Sequence, residues 1–405
     1  SEKAGLMQGD RIVRVNDKDI AGVKMPQDSM IRLMKGPKGS KVKITVNRNG
    51  TLIPFDIIRD KIPVHCIDAA FMIDETTGYI KLSKFTRTTY TEFTAAAAKL
   101  LAQGMTRLLF DLRDNTGGYF DQAWKLANEF LERGDEVVYM EGRQRPRQNF
   151  DADGRGFLKD IKISVLIDEG TASSSEIFAG AIQDNDRGVI VGRRSFGKGL
   201  VQEPINFTDG SGIRLTVSRF YTPSGRCIQK PYGDDYQYDI YERYAHGEMT
   251  YADSMKVDTT AVFYTVRGRR VYGGGGIIPD IFVPLDTTKA TTFFINCNKK
   301  ATQMRFAQAM FDKYGKALAG IDDFDRLDRY MDEINLDAQF LDYAARVDGL
   351  KPKEGEWEET VPYLMPQLKA LVGRFSKLSD EAFYRFYVPI DDTIQAALKN
   401  PSVVE

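Results

Sequence analysis

Three short stretches of this chain gather residue types that do chemistry. The first, Asp114-Asn115-Thr116-Gly117-Gly118, lies between a compact apolar run, Leu108 to Leu112, and a stretch from Phe120 to Leu131 with apolar residues at helical spacing. Adjacent glycines let the backbone turn its N–H groups outward, and amides before a helix start suit an anion or oxyanion. A plain tight turn would use the same residues. The second runs from Glu169 to Glu176 and contains Thr171-Ala172-Ser173-Ser174-Ser175. Ser173 stands three before Glu176, the capping-box spacing, so one reading is a helix N-cap. The other is a nucleophile whose Oγ sits at the positive end of a helix dipole, which favours a developing alkoxide. Ser174 would then offer a backbone N–H beside it, as at a nucleophile elbow, and Ser175 could cap. The third is Ser195-Phe196-Gly197-Lys198-Gly199-Leu200-Val201-Gln202. Lys198 between two glycines reads as a solvated loop residue or as a base whose amine Gln202 fixes by hydrogen bonding.

A serine nucleophile needs a base, and the chain has only two histidines, His65 and His246. Neither falls in a loop at a strand end. Lysine, with an ordinary pKa of ~10.4, replaces histidine only where its surroundings keep it neutral, and Ser-Lys pairs of this kind occur. Gly192 to Lys198 also matches the start of a phosphate-binding P-loop. The Ser or Thr that should follow the lysine is Gly199, and the helix that should follow is replaced by Leu200-Val201-Gln202-Glu203-Pro204, a strand pattern. That rules against an NTPase.

Composition narrows the field further. The 405 residues carry 56 Lys+Arg against 57 Asp+Glu, a net charge of −1, so no global pull toward nucleic acid or membrane follows. A spanning helix needs ~18 consecutive apolar residues, and no such run exists. Cys66, Cys227 and Cys297 are too few and too far apart for a disulfide scaffold or a CxxC pair, and two histidines exclude a multi-His metal site. No metal or organic cofactor is expected.

The elements that must position the three loops divide the chain in three. Residues 1–60 read as small and β-rich, with strand patterns at Arg11 to Val15 and Val42 to Val46, a short helix near Ser29 to Met34, and an Asn49-Gly50 turn. Residues 61–285 alternate strands with helices, predicting an α/β core with largely parallel pairing. Strands are expected at Leu108 to Leu112, Ile163 to Ile167 and Gly188 to Val191. Ile205 to Phe207 and Ile213 to Val217 predict a hairpin across Asp209-Gly210. Residues 230–260, rich in Tyr, Asp and Glu, read as a surface insertion. Residues 286–405 turn helical, with a break expected at Pro389.

Three segments in order, Asp111 to Gly118, Gly170 to Ile177 and Ser195 to Gln202, resemble the C-terminal processing peptidases, also called tail-specific proteases. Phe220-Tyr221-Thr222-Pro223-Ser224-Gly225 and Gly276-Ile277-Ile278-Pro279-Asp280 are further family-like strings, and Ala4-Gly5-Leu6 with Gly9-Asp10-Arg11-Ile12 resembles the second half of a PDZ domain. The resemblance covers residues 1 to about 285. It implies a crotonase-like α/β serine peptidase core preceded by a partial PDZ domain and followed by an α-helical C-terminal region that matches no motif. It implies Ser173 as nucleophile and Lys198, 25 residues on, as general base. It also implies Gln202 orienting the lysine, and an oxyanion hole from the N–H groups of Gly118 or Gly117 and of Ser174. Implied substrates are protein or peptide tails with apolar C-terminal residues, and the implied address is the periplasm or cell envelope. The helical region is expected to supply scaffold or dimer (homo-oligomer) contacts.

The chain departs from the family pattern in two ways. Thr171-Ala172-Ser173-Ser174-Ser175 stands where many members read Ser-Ala-Ser-Ala-Ser, which keeps a small residue after the nucleophile. The carboxylate-binding loop and first strand of a PDZ domain would lie before Ser1. Two rivals remain: a noncatalytic PDZ scaffold that binds protein tails, and a crotonase-like acyl-CoA enzyme using the same oxyanion hole.

Overall fold

A computed structural model describes residues 4–7, 9–48, 50–62, 65–233, 236 and 238–400. Asn49 of the expected turn, and Pro63 and Val64 ahead of His65, lie outside them. Cα packing groups the chain into two units, one of residues 1–64 and 289–386, the other of residues 65–288 and 387–405.

The second unit holds the three loops. Its main sheet has six strands: β1 (Ile67–Met72), β2 (Thr77–Leu82), β3 (Arg107–Asp111), β4 (Lys162–Ile167), β5 (Gly188–Gly192) and β6 (Ile281–Phe282). They lie side by side in chain order. Only the β1–β2 pairing is antiparallel; each other neighbouring pair is parallel. Interior parallel strands are covered on both faces, which is why β3 and β5 are buried along their whole length and are apolar through their middles. Helices α1 (Thr89–Ala102), α2 (Phe120–Asn128) and α3 (Ser174–Asp184) connect or follow strands, and α4 (Asp392–Lys399) belongs to the same unit. The helical stretch expected over 286–405 is thus divided between the two units. Every residue of α3 is buried, and its Phe178 meets Phe110 of β3 edge to face at 5.0 Å and Phe130 at 5.9 Å.

The expected hairpin forms and is longer than its apolar pattern suggested, pairing Leu200–Asn206 with Gly212–Tyr221 and setting Ile205 opposite Ile213. It belongs to a second, four-stranded sheet with Glu136–Gly142 and Arg145–Asp151.

Residues 230–260 are not simply a surface insertion. Their lack of aliphatics suggested exposure, yet Lys230, Arg243, Glu248 and Met249 are buried, the charged ones in ion pairs. Paired charges are the form in which polar sequence enters an interior.

In the first unit, Lys18–Asp19, Arg11–Val15, Lys41–Arg48 and Thr51–Ile58 make an antiparallel sheet in that order around Val15, Ile20, Val42, Ile44 and Val46. Arg11 pairs with Asp312 of the helix Thr302–Leu318, so the β-rich and helical segments share this unit. Pro389 does end a helix: Asp380–Tyr387 stops, a short 3-10 turn Val388–Ile390 follows, and α4 starts afresh. No described helix is long and apolar enough to cross a membrane.

Phe178 anchors the helix that Ser173 begins. Phe178→Ala is expected to cost about 3–5 kcal/mol through the cavity it leaves. Urea unfolding should show this as a lower midpoint with an unchanged slope.

Candidate active site

Because β3, β4 and β5 are parallel neighbours, the loops that leave their carboxyl ends lie along one edge of the sheet. They are the loops singled out above, and hydrogen bonds lace them together. Thr171 Oγ1 donates to the Leu112 carbonyl at 2.9 Å. The Ala172 N–H and Ser175 Oγ both donate to the Asn115 carbonyl, at 2.9 and 3.0 Å. Ser174 Oγ donates to the Gly118 carbonyl at 3.0 Å, and the Asp114 N–H to Asp168 Oδ1 at 2.9 Å. The Phe196 N–H joins the third loop to the second through the Thr171 carbonyl at 2.9 Å.

Ser173 occupies the N-cap position of α3 with φ 59° and ψ −117°. A non-glycine residue held there stores roughly 1–3 kcal/mol of strain, and such strain persists only where its surroundings over-determine it. Gly117 packs directly beneath: at φ 89°, a Cβ added there would lie 2.8 Å from the Ser173 Cβ and 2.8 Å from the Ser174 nitrogen. Only glycine fits so close an approach.

The N-cap and nucleophile readings of the second loop share one residue, Glu176. Its carboxylate is fully buried. Oε2 accepts from the N–H of Ser173 and from that of Lys198, both at 2.8 Å. Oε1 accepts from the Gly197 N–H at 2.7 Å and from Ser195 Oγ at 2.5 Å. One oxygen therefore ties the backbone of Ser173 to that of Lys198. Burial pushes the Glu176 carboxyl above its ordinary range, against the pull of these donors. Capping-box spacing was the only signal of Glu176 in the sequence, and it showed one of the four bonds.

Lys198 and Ser173 are both half-buried. Among the described residues no hydrogen bond joins Ser173 Oγ to Lys198 Nζ. Gln202 is exposed on its hairpin strand, where Nε2 donates to Thr216 Oγ1 at 3.5 Å, and no bond to Lys198 is present among the described residues. The two candidate glycine amides differ. The Gly117 N–H donates to Asn115 Oδ1 at 2.9 Å, whereas the N–H groups of Gly118 and Ser174 have no acceptor among the described residues. His65 is exposed, with its ring 3.7 Å from Glu92, and His246 sets Nδ1 2.7 Å from the Glu242 carbonyl.

Further residues hold the loops from behind. Buried Arg243 donates to the carbonyls of Arg194 at 2.7 Å and Ser195 at 3.1 Å, and shares Glu248 with Arg194. The stretch that reads as an insertion thus supports the Lys198 loop. At the end of β3, Asp111 accepts from Tyr79 at 2.7 Å, Lys81 at 3.2 Å and Arg113 at 2.6 Å. Burial alone would push its carboxyl up, but the charges of Arg113 and Lys81 outweigh that and hold it far below the usual carboxylate range. Among the described residues, no cluster of three or more His, Cys, Asp or Glu is arranged to hold a metal.

Comparison with known proteins agrees with the residues. Residues 76–240 match the model of Peptidase family S41. The carboxy-terminal-processing protease of Bartonella bacilliformis is 38% identical over 56% of this chain and 53% of its own. The carboxy-terminal processing protease CtpA of Bacillus subtilis is 34% identical over 57% of this chain and 49% of its own. Among solved structures, the photosystem II D1 C-terminal processing protease aligns at 27% identity and a TM-score of 0.41, covering 70% of this chain and 65% of that one. The family match and the names of these two curated relatives bear out the resemblance to C-terminal processing peptidases, and the family match lies within the α/β part of the chain, at residues 76–240. The chain spans about half the length of the curated relatives it matches.

Two outcomes follow from this geometry. Glu176→Gln sets an NH2 group against N–H donors, and each donor left without an acceptor is expected to cost about 1–3 kcal/mol, read as a lower urea midpoint. Asp111, with its folded pKa depressed, contributes stability that is complete above its unfolded value near ~3.9 and fades as pH falls toward the folded one. Unfolding midpoints between pH 5 and pH 2 should fall steeply in the wild type, and Asp111→Asn should flatten that limb.

Proposed function

We propose that this chain is a serine peptidase that cleaves near the C-termini of poorly structured polypeptides through Ser173 and Lys198. The observation that carries the proposal is the strained Ser173 at a helix N-terminus, flanked by the N–H groups of Gly118 and Ser174, which have no acceptor among the described residues, and tied through Glu176 to the backbone of Lys198. Ser173 Oγ attacks the scissile carbonyl while neutral Lys198 takes its proton. The carbonyl oxygen, now negative, is held by the Gly118 and Ser174 amides, whose alignment needs no reorganisation during the reaction. As the intermediate collapses, Lys198 protonates the leaving amine and an acyl-enzyme remains; water then releases the new C-terminus by the same steps. Gly117 lies under the nucleophile and keeps the loop close, and Gln202 turns from Thr216 to orient the lysine when substrate binds.

The finer architecture belongs to the same reading. Residues 61–285 hold a crotonase-like core, whose unit also includes α4; residues 1–60 are part of a PDZ domain; and the other helices of 286–405 are a scaffold that supports a homo-oligomer. Substrates are protein tails with apolar C-terminal residues, met in the periplasm or cell envelope. The S41 match over residues 76–240 and the names of the relatives support the peptidase part of this reading.

Ser173→Ala is expected to lower turnover of an exposed peptide by on the order of 10⁴ or more and to abolish labelling by a serine-reactive acylating probe. Lys198→Ala should lose comparable activity, and Lys198→Arg should not restore it, because guanidinium stays protonated. His65→Ala and His246→Ala should keep the wild-type rate. Loss of activity in either histidine variant, with the fold intact, would transfer the base from Lys198 to that histidine.

A further inference from the structure

The last helix of the chain lies outside the segment that matches the S41 model, yet it is bonded to the loop that carries Gly118. Arg113, the first residue beyond the β3–Leu112 run, is the link. Its Nη2 and Nε reach Asp111 at 2.6 and 3.1 Å, while its Nη1 reaches Asp391 Oδ2 at 2.8 Å and Oδ1 at 2.9 Å. The Arg113 N–H also donates to Asp111, at 2.9 Å, and its carbonyl accepts from Lys81. The next residue, Asp114, has φ 58° and is held by Asp168. Side chain and backbone at the root of the oxyanion loop are therefore pinned together.

Asp391 is pinned in turn. As N-cap of α4, its Oδ1 accepts from the N–H groups of Thr393 and Ile394, both at 3.0 Å. At the other end of α4, Arg107 donates to the carbonyls of Ala397 and Leu398. Two arginines, one at the start of β3 and one just past its end, thus clasp the two ends of one helix, which packs on β4 and β5. The charges close only with Asp391 included: Asp111 and Asp391 balance Lys81 and Arg113. Without it, two cations face one carboxylate, and the Arg113 fork loses the partner on its far side.

We propose that Asp391 is a positioning residue, acting through Arg113 to hold the Asp114 to Gly118 loop with the Gly118 N–H aimed at the reacting carbonyl. The inference rests on the oxyanion role assigned to Gly118 under the proposed function. It makes the C-terminal helix part of the catalytic scaffold, since a carboxylate 278 residues from Arg113 in sequence sets the geometry of the loop.

Its test is steady-state kinetics of the full chain on a short exposed peptide. Asn caps helices as well as Asp, so Asp391→Asn keeps the cap of α4 and removes only the charge facing Arg113. Its kcat is expected to fall about 10- to 100-fold, as for a small misplacement of the reacting groups, with KM within about twofold of wild type. Asp391→Glu, which keeps the carboxylate, should recover part of that loss. If the Asn variant does not fold, Asp391→Ser retains the cap and should give the same split. A neutral, folded variant with wild-type kcat would overturn the inference, as would a loss carried wholly by KM or one that Asp391→Glu does not relieve. Ser173→Ala, run alongside, separates the two levels: an active Ser173→Ala sinks the proposed function, whereas an inactive one beside a fully active Asp391→Asn sinks only the role of Asp391.

Discussion

A carboxylate removed from water must be met by donors, and at Glu176 that demand organises the site. Four donors from two loops converge on its two oxygens: the amides of Ser173, Gly197 and Lys198 and the hydroxyl of Ser195. Leaving any of them unpaired inside the protein carries a desolvation penalty, so the two loops cannot drift apart without losing several bonds at once. The backbones of Ser173 and Lys198 are tied together by this one side chain. The same bonds supply the constraint that keeps Ser173 in an unfavourable backbone conformation.

The parallel sheet supplies the rest of the frame. Three neighbouring strands pointing the same way deliver three loops to one edge, and the bonds of Thr171, Ala172, Ser174 and Ser175 to Leu112, Asn115 and Gly118 close the space between the first two. Asn115 plays a selective part. Its side-chain oxygen accepts from the Gly117 amide, and of the pair only the Gly118 amide is left without an acceptor among the described residues. Gly117 is then free for its steric task, the close approach beneath Ser173.

Outside this frame, charge does the work that apolar packing does elsewhere. Arg243, Glu248 and Arg194 fix the carbonyls that precede Lys198, and Asp111, Lys81, Arg113 and Asp391 fix the root of the Asp114 to Gly118 loop. Breaking a buried pair on one side leaves an uncompensated charge, which is why such networks tolerate little movement. Each of them carries a long-range constraint into a loop.

The elements and the candidate residues of the site were legible in the sequence because both are written locally. Apolar runs at β3, β4 and β5 and helical spacing at α2 and α3 report short-range backbone preference, and Gly-Gly, Ser-Ser-Ser and Gly-Lys-Gly between them mark loops at strand ends. Composition alone excluded multi-His metal chemistry and a disulfide scaffold. Tertiary structure decided what no local pattern encodes. It gave the Gly117 amide an acceptor, the side chain of Asn115 two residues before it, and left the Gly118 amide without one among the described residues. It turned a capping-box glutamate into the tie between two loops, and it buried the charges of a stretch that composition assigned to the surface. It also brought Asp391 to Arg113. A buried donor or ion pair is specified by whatever the fold places opposite it, and a partner 278 residues distant leaves no periodicity or spacing for the sequence to show.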